Sequence, residues 1–100
     1  MPFQFFLPRP LTPRSIRANA PAASGLYGIS NAREWIYIGE ADNIQATLAR
    51  HLQHRDTAVM KCGPTGFVFE LCEPATRPVR LERLVVEYAP FCNRHSPRSQ

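Results

Sequence analysis

Two phenols, an imidazole, a guanidinium and a carboxamide are the groups in this chain best suited to chemistry on a polar substrate. Tyr27 and Tyr37 stand ten residues apart, in Gly25-Leu26-Tyr27 and Tyr37-Ile38-Gly39, and Pro90-Phe91-Cys92-Asn93 follows downstream. His51 can act as a base only where the fold brings it within reach of a proton. Arg50 carries a planar fork that matches phosphate geometry. Each has a plainer reading: tyrosines in β-rich runs usually pack, and a partly exposed helical histidine usually does no chemistry. A zinc set of His51, His54 and Cys62 with Cys92 or His95 is rejected, because it lacks the paired short spacings of zinc sites.

The elements that position these groups follow from periodicity. GLYGIS and EWIYIGE are short β-rich runs separated by Asn31-Ala32-Arg33, which predicts an antiparallel hairpin. The two-residue period places Trp35 on the strand face of Tyr37, covering the sheet near the site. Asp42 or Asn43 caps a helix in which Ile44, Leu48, His51 and Leu52 recur at helical spacing, ending near Arg55. A third strand fits residues 66–72, and a last helix runs from about Arg77 to Tyr88 with Leu81, Leu84, Val85 and Tyr88 on one face. Residues 56–65 are ambiguous. The expected fold class is α+β, a three-stranded antiparallel sheet flanked by helices.

The paired tyrosine strings with the downstream Pro-x-x-Asn resemble the GIY-YIG nuclease family over about Ser24 to Asn93, with Leu26 at the motif's isoleucine. The resemblance implies the same order of elements and a metal-dependent DNA or RNA endonuclease. It also implies that Tyr27 and Tyr37 match the tyrosines that organise or activate the attacking water, and that Asn93 matches the family's terminal asparagine. Three charged positions depart from the pattern. Glu40 stands where a lysine is common, and Thr47 where the arginine belongs. Leu81, twelve residues before Asn93, takes the place of the metal-binding glutamate.

Hydrolysis of a phosphodiester builds negative charge that a divalent cation and a cationic side chain offset. Leucine offers a hard cation no oxygen, and threonine does not replace a bidentate guanidinium. Two relocations are open. Arg50 lies three residues after Thr47 on nearly the same helix face, and Glu82 becomes the metal ligand if one residue has been lost before Pro90. His51, four residues after Thr47, is where family members carry a histidine or tyrosine near the water. The resulting expectation is a nuclease-like pseudoenzyme kept for binding nucleic acid or a protein partner, with no cofactor. The alternative is an active endonuclease that uses Mg²⁺ or Mn²⁺ through Glu82. A partner subunit supplying the missing charges is a third, weaker reading.

Composition sets the remaining bounds. The chain has 100 residues, is 44% apolar and carries a formal charge of +4, which suits one modest domain. Residues 1–20 hold +3, residues 90–100 hold +2, and residues 21–89 net −1, so the basicity is expected in tails. The organisation read from this is an extended Pro/Arg-rich lead-in over 1–22, with Phe3, Phe5 and Phe6 expected to dock on the core, a GIY-YIG-like domain over 23–93, and a basic tail over 94–100. Arg33, Arg50 and Arg55 are the candidate nucleic-acid contacts. Three cysteines without a CxxC pair are read as reduced thiols, and the lack of a long apolar run or a signal-peptide start points to a cytoplasmic protein with no membrane partner.

Overall fold

A computed structural model of the chain describes residues 5–95, with side chains described over 7–93. The elements run β1 (Phe5–Pro10), α1 (Pro13–Asn19), β2 (Gly25–Ser30), β3 (Trp35–Ala41), α2 (Ile44–Gln53), α3 (Ala58–Lys61), β4 (Gly66–Leu71), α4 (Arg77–Tyr88) and α5 (Phe91–His95). The expected docking of Phe3, Phe5 and Phe6 and the charge of the tail at Arg94 and Arg98 fall outside the described side chains.

The sheet is antiparallel and four-stranded, ordered β1-β4-β2-β3, which corrects the three-stranded expectation. The extra strand comes from the Pro-rich lead-in. β1 pairs only with β4, so Pro8 and Pro10 occur on an edge strand, where a missing amide donor is tolerated. α1 follows directly, with Pro13 at its start and the Thr12 hydroxyl accepting from the Ser15 amide. The lead-in is therefore folded over much of its length. Gln45 of α2 donates to the carbonyls of Arg17 and Ala20, so α1 ends on the helix that carries His51.

β2 is central and buried throughout, which suits a strand paired on both sides. A Cβ on Gly25 would run into the Glu70 carbonyl and the Ile44 side chain, so the strand needs glycine there for close approach. Side-chain alternation then divides two cores. Tyr27, Ile29 and Phe67 face α1 and α2 with Ile16, Ile44 and Leu48. Leu26, Ile38 and Val68 face α4 with Leu84.

Trp35 corrects a second expectation. Tyr37 pairs with Ile29 but Trp35 pairs with Ser30, so Ile36 is an extra residue in β3, a bulge. The bulge reverses the alternation. Trp35 joins the α4 core and stacks near Tyr88, with ring centroids 4.8 Å apart, while Tyr37 stays in the core of Tyr27. The helix read as ending near Arg55 stops at Gln53, and the ambiguous stretch holds α3, whose Thr57 cap accepts from the Met60 amide. The three cysteines are free thiols.

Candidate functional site

Three of the expected site residues meet on the α2 face of the sheet. Tyr27 Oη lies 2.8 Å from His51 Nε2, and the ring centroids of Tyr27, Tyr37 and His51 form a triangle of 6.1, 5.5 and 5.9 Å. Strand pairing brings the tyrosines together, and α2 supplies the imidazole from the turn after Thr47. Burial raises the pKa of Tyr27 far above the ordinary phenol value, with Tyr37 adding to the shift and Arg50 opposing it. Tyr27 therefore keeps its proton and is suited to donate to the Nε2 lone pair, which assigns the His51 proton to Nδ1. Burial also lowers the His51 pKa, with the charges of Arg50 and His54 acting in the same direction. At neutral pH the cluster holds a protonated Tyr27 phenol and a neutral imidazole.

That depression has a sign. A histidine whose folded pKa lies below its unfolded value adds stability above the unfolded pKa and loses it as pH falls through the folded one. Unfolding free energy is expected to decline as pH drops below 6.5, and to decline less in His51→Gln. Urea titrations at a series of pH values check this; equal slopes in the two proteins would contradict it.

Gly39 sets the spacing of the phenols. A Cβ there would lie 2.8 Å from Tyr27 Oη, 2.8 Å from Tyr37 Cε2 and 2.9 Å from Tyr27 Cζ. Tyr27 is 3% exposed and has little room to retreat. Gly39→Ala is expected to cost about 1–3 kcal/mol through overpacking and to break the Tyr27–His51 bond. Chemical denaturation reads the first, and an NMR titration of the His51 ring moving back toward ordinary values reads the second.

The other candidates are distributed differently. Arg50 is exposed on α2, and its charge reaches both Tyr27 and His51. Arg55 is exposed just past α2, and Arg33 is exposed in the β2–β3 loop. Asn93 grips the outer edge of β3: its Oδ1 accepts from the Ile38 amide at 2.7 Å, and its Nδ2 donates to the Ile38 carbonyl at 3.0 Å. Both halves of its carboxamide are thus occupied by the strand that carries Tyr37.

The position of the expected glutamate lies on α4, across the sheet from Tyr27. Leu81 is half-buried there in the apolar cluster of Trp35, Leu84, Val85 and Tyr88, and Glu82 is exposed beside it. Glu40 faces Arg77, a residue that the sequence reading did not single out. Arg77 Nη1 donates to the Ala41 carbonyl at 2.6 Å and to Ser24 Oγ at 3.3 Å, and lies 2.9 Å from Asp42 Oδ1. Its Nε is 3.2 Å from Glu40 Oε1 in an ion contact whose angle does not make a hydrogen bond. No local pattern ties Glu40 to a helix start so far along the chain, and only the tertiary fold reveals the pair. The position where the resemblance implied a lysine thus holds an acid in ion contact with an arginine.

A hard divalent cation needs several oxygen donors. Leu81 supplies none, Glu40 is held by Arg77, Asp42 is exposed to solvent, and no three His, Cys, Asp or Glu side chains converge among the described residues. The donor set beside the phenols does not fit such an ion.

No protein-family model matches the chain, and no curated protein matches it in sequence. Its backbone does match solved structures. One is the GIY-YIG N-terminal endonuclease domain of UvrC from Thermotoga maritima bound to its catalytic divalent cation, magnesium, at TM-score 0.62 and 24% identity over 76% of this chain and 92% of that one. A point mutant of the same domain superposes at TM-score 0.64 with 23% identity, covering 76% and 91% of the two chains. With the paired tyrosine strands, the capped α2 and the Pro-x-x-Asn segment all in place, the chain has a GIY-YIG-like fold.

Proposed function

We propose that this chain is a GIY-YIG-like domain impaired in strand cleavage and retained to bind nucleic acid. The observation that most supports the reading is Leu81: the family's metal-ligand position packs an isobutyl group into the α4 core, while the acid next to Tyr37-Ile38-Gly39 is held by Arg77. Losing a group that stabilises transition-state charge costs on the order of 10² to 10³ in rate. Arg50 beside the phenols and Arg55 past α2 supply phosphate contacts without cleavage.

The test pairs binding with cutting. Labelled DNA and RNA are titrated at rising salt, and supercoiled plasmid and structured RNA are incubated with excess protein in Mg²⁺ or Mn²⁺. Salt-dependent binding with no nicking is expected. Absence of binding at low salt would reject the nucleic-acid role and leave a protein partner.

One observation favours a second reading, an active endonuclease with relocated residues. The Tyr27–His51 bond couples a phenol to the basic nitrogen of a neutral imidazole, so Tyr27 can pass its proton to Nε2 while taking one from a water in its place. Under this reading nicking occurs and is lost in Tyr37→Phe; nicking that persists unchanged in that variant rejects it.

A further inference from the structure

The charge count along the sequence placed the basic residues in tails, but folding redistributes them. Arg14 and Arg17 lie exposed on α1, Arg50 is exposed on α2, and Arg55 is exposed just beyond its end. The packing of α1 on α2, fixed by Gln45 against the Arg17 and Ala20 carbonyls, gathers the four side chains onto one pair of helices. Neither helix contains an Asp or Glu; the first acid after them is Asp56. Between the helices runs a groove of about 430 Å³, with Ile16, Ala46, Ala49 and Leu52 in its lining and Arg17 and Arg55 among its residues. No acid lines it. From Arg55, α2 leads back through Arg50 to the Tyr27, Tyr37 and His51 cluster.

We infer that this groove is the track along which the phosphate backbone of a nucleic-acid strand crosses the protein, held by Arg14, Arg17 and Arg55 and leading toward Arg50. The inference rests on the nucleic-acid reading above and gives it a surface. Charge complementarity identifies the occupant: a groove lined by Arg17 and Arg55 and by no carboxylate, with Arg14 and Arg50 exposed on the same two helices, attracts a chain of regularly spaced anions, and arginine forks match phosphate oxygens. The groove lining contains no aromatic side chain on which bases could stack, so recognition is by backbone and independent of sequence. Arg33, in the β2–β3 loop, belongs to neither helix and lies off this track.

Salt dependence tests the assignment directly. Fluorescein-labelled single-stranded DNA and duplex DNA of equal length are titrated with the whole chain, with Arg14→Gln/Arg17→Gln/Arg55→Gln and with Arg83→Gln on the exposed side of α4, after thermal melts establish that the variants are folded. For duplex, four phosphate contacts give a slope of log affinity against log salt of about −3.6, and removing three brings it to about −0.9. The expected result is that fall in the triple variant, at least about a tenfold weakening near 0.1 M salt, and no change in Arg83→Gln. Comparison of the two probes shows which form of backbone the track accepts. Binding by the whole chain that is unchanged in the triple variant, or weakened equally by Arg83→Gln, overturns the track while leaving the nucleic-acid reading in place. Displacement of both probes by polyglutamate at equal charge overturns the choice of phosphate as ligand, and failure of the whole chain to bind either probe at low salt removes the reading and the track together.

Discussion

Replacing Asn93 with alanine should lower the unfolding free energy by about 3 kcal/mol, because it strands two backbone groups at once. Ile38 is fully buried, and both its amide and its carbonyl point outward from edge strand β3 to the Asn93 carboxamide. The side chain copies a peptide group and supplies one rung of the missing neighbouring strand. A lost partner for a buried donor or acceptor costs about 1–3 kcal/mol each. In a domain of this size, 3 kcal/mol corresponds to a fall in Tm of about 15 °C. Ile38 lies between Tyr37 and Gly39, so loosening it also disturbs the phenol pair. A thermal melt of Asn93→Ala within a degree or two of the parent would contradict this clamp.

Glu70→Leu should cost a similar amount, about 3 kcal/mol, by removing the largely buried carboxylate onto which Arg80 forks. The two form a forked pair between β4 and α4, with Nε to Oε2 at 2.6 Å and Nη2 to Oε1 at 2.8 Å, and side chains only 11% and 18% exposed for Glu70 and Arg80. The Glu70 hydrogen bond raises the Arg80 pKa, in line with a guanidinium held in its charged form. The double variant Glu70→Leu/Arg80→Met should recover most of the loss, because an apolar pair of similar volume removes both desolvated charges. Urea midpoints of the two singles and the double close the cycle. If the two single costs simply add in the double, the pair is not acting as a unit.

By contrast, the Arg77 contact with Asp42 should matter little, since that carboxylate is 91% exposed and surface pairs are worth about 0–1 kcal/mol. Arg77 acts mainly through the Ala41 carbonyl and Glu40, where it fixes the end of β3 against the start of α4.

The legible part of the fold was the part with unambiguous period or caps. β2, β3 and β4 alternate, Asn43 caps α2 through the Ala46 amide, and Leu81, Leu84, Val85 and Tyr88 set the inner face of α4. β1 escaped notice because its prolines read as a break, although on an edge strand paired on one side they cost little. Thr12-Pro13, a cap followed by proline, was the available signal for α1. A strict two-residue period puts Trp35 on the wrong face, because it has no place for the bulge at Ile36. In the candidate site, the tyrosine strings and the helical position of His51 were enough to place three side chains together. The Arg77–Glu40 contact and the joining of Arg14 and Arg17 to α2 depend on packing between distant segments, and no local pattern encodes them.

The arrangement accounts for one proposal rather than two separate losses. A leucine facing the α4 core and an arginine holding Glu40 both fit the proposal that no cation is gathered beside the phenols. Manganese-induced relaxation of the Tyr27, Tyr37 and His51 ring resonances tests this without relying on activity. The account predicts that substoichiometric Mn²⁺ leaves these signals as sharp as those of Trp35. Selective broadening of the three rings, with Trp35 left sharp, would place a cation beside the phenols and contradict it.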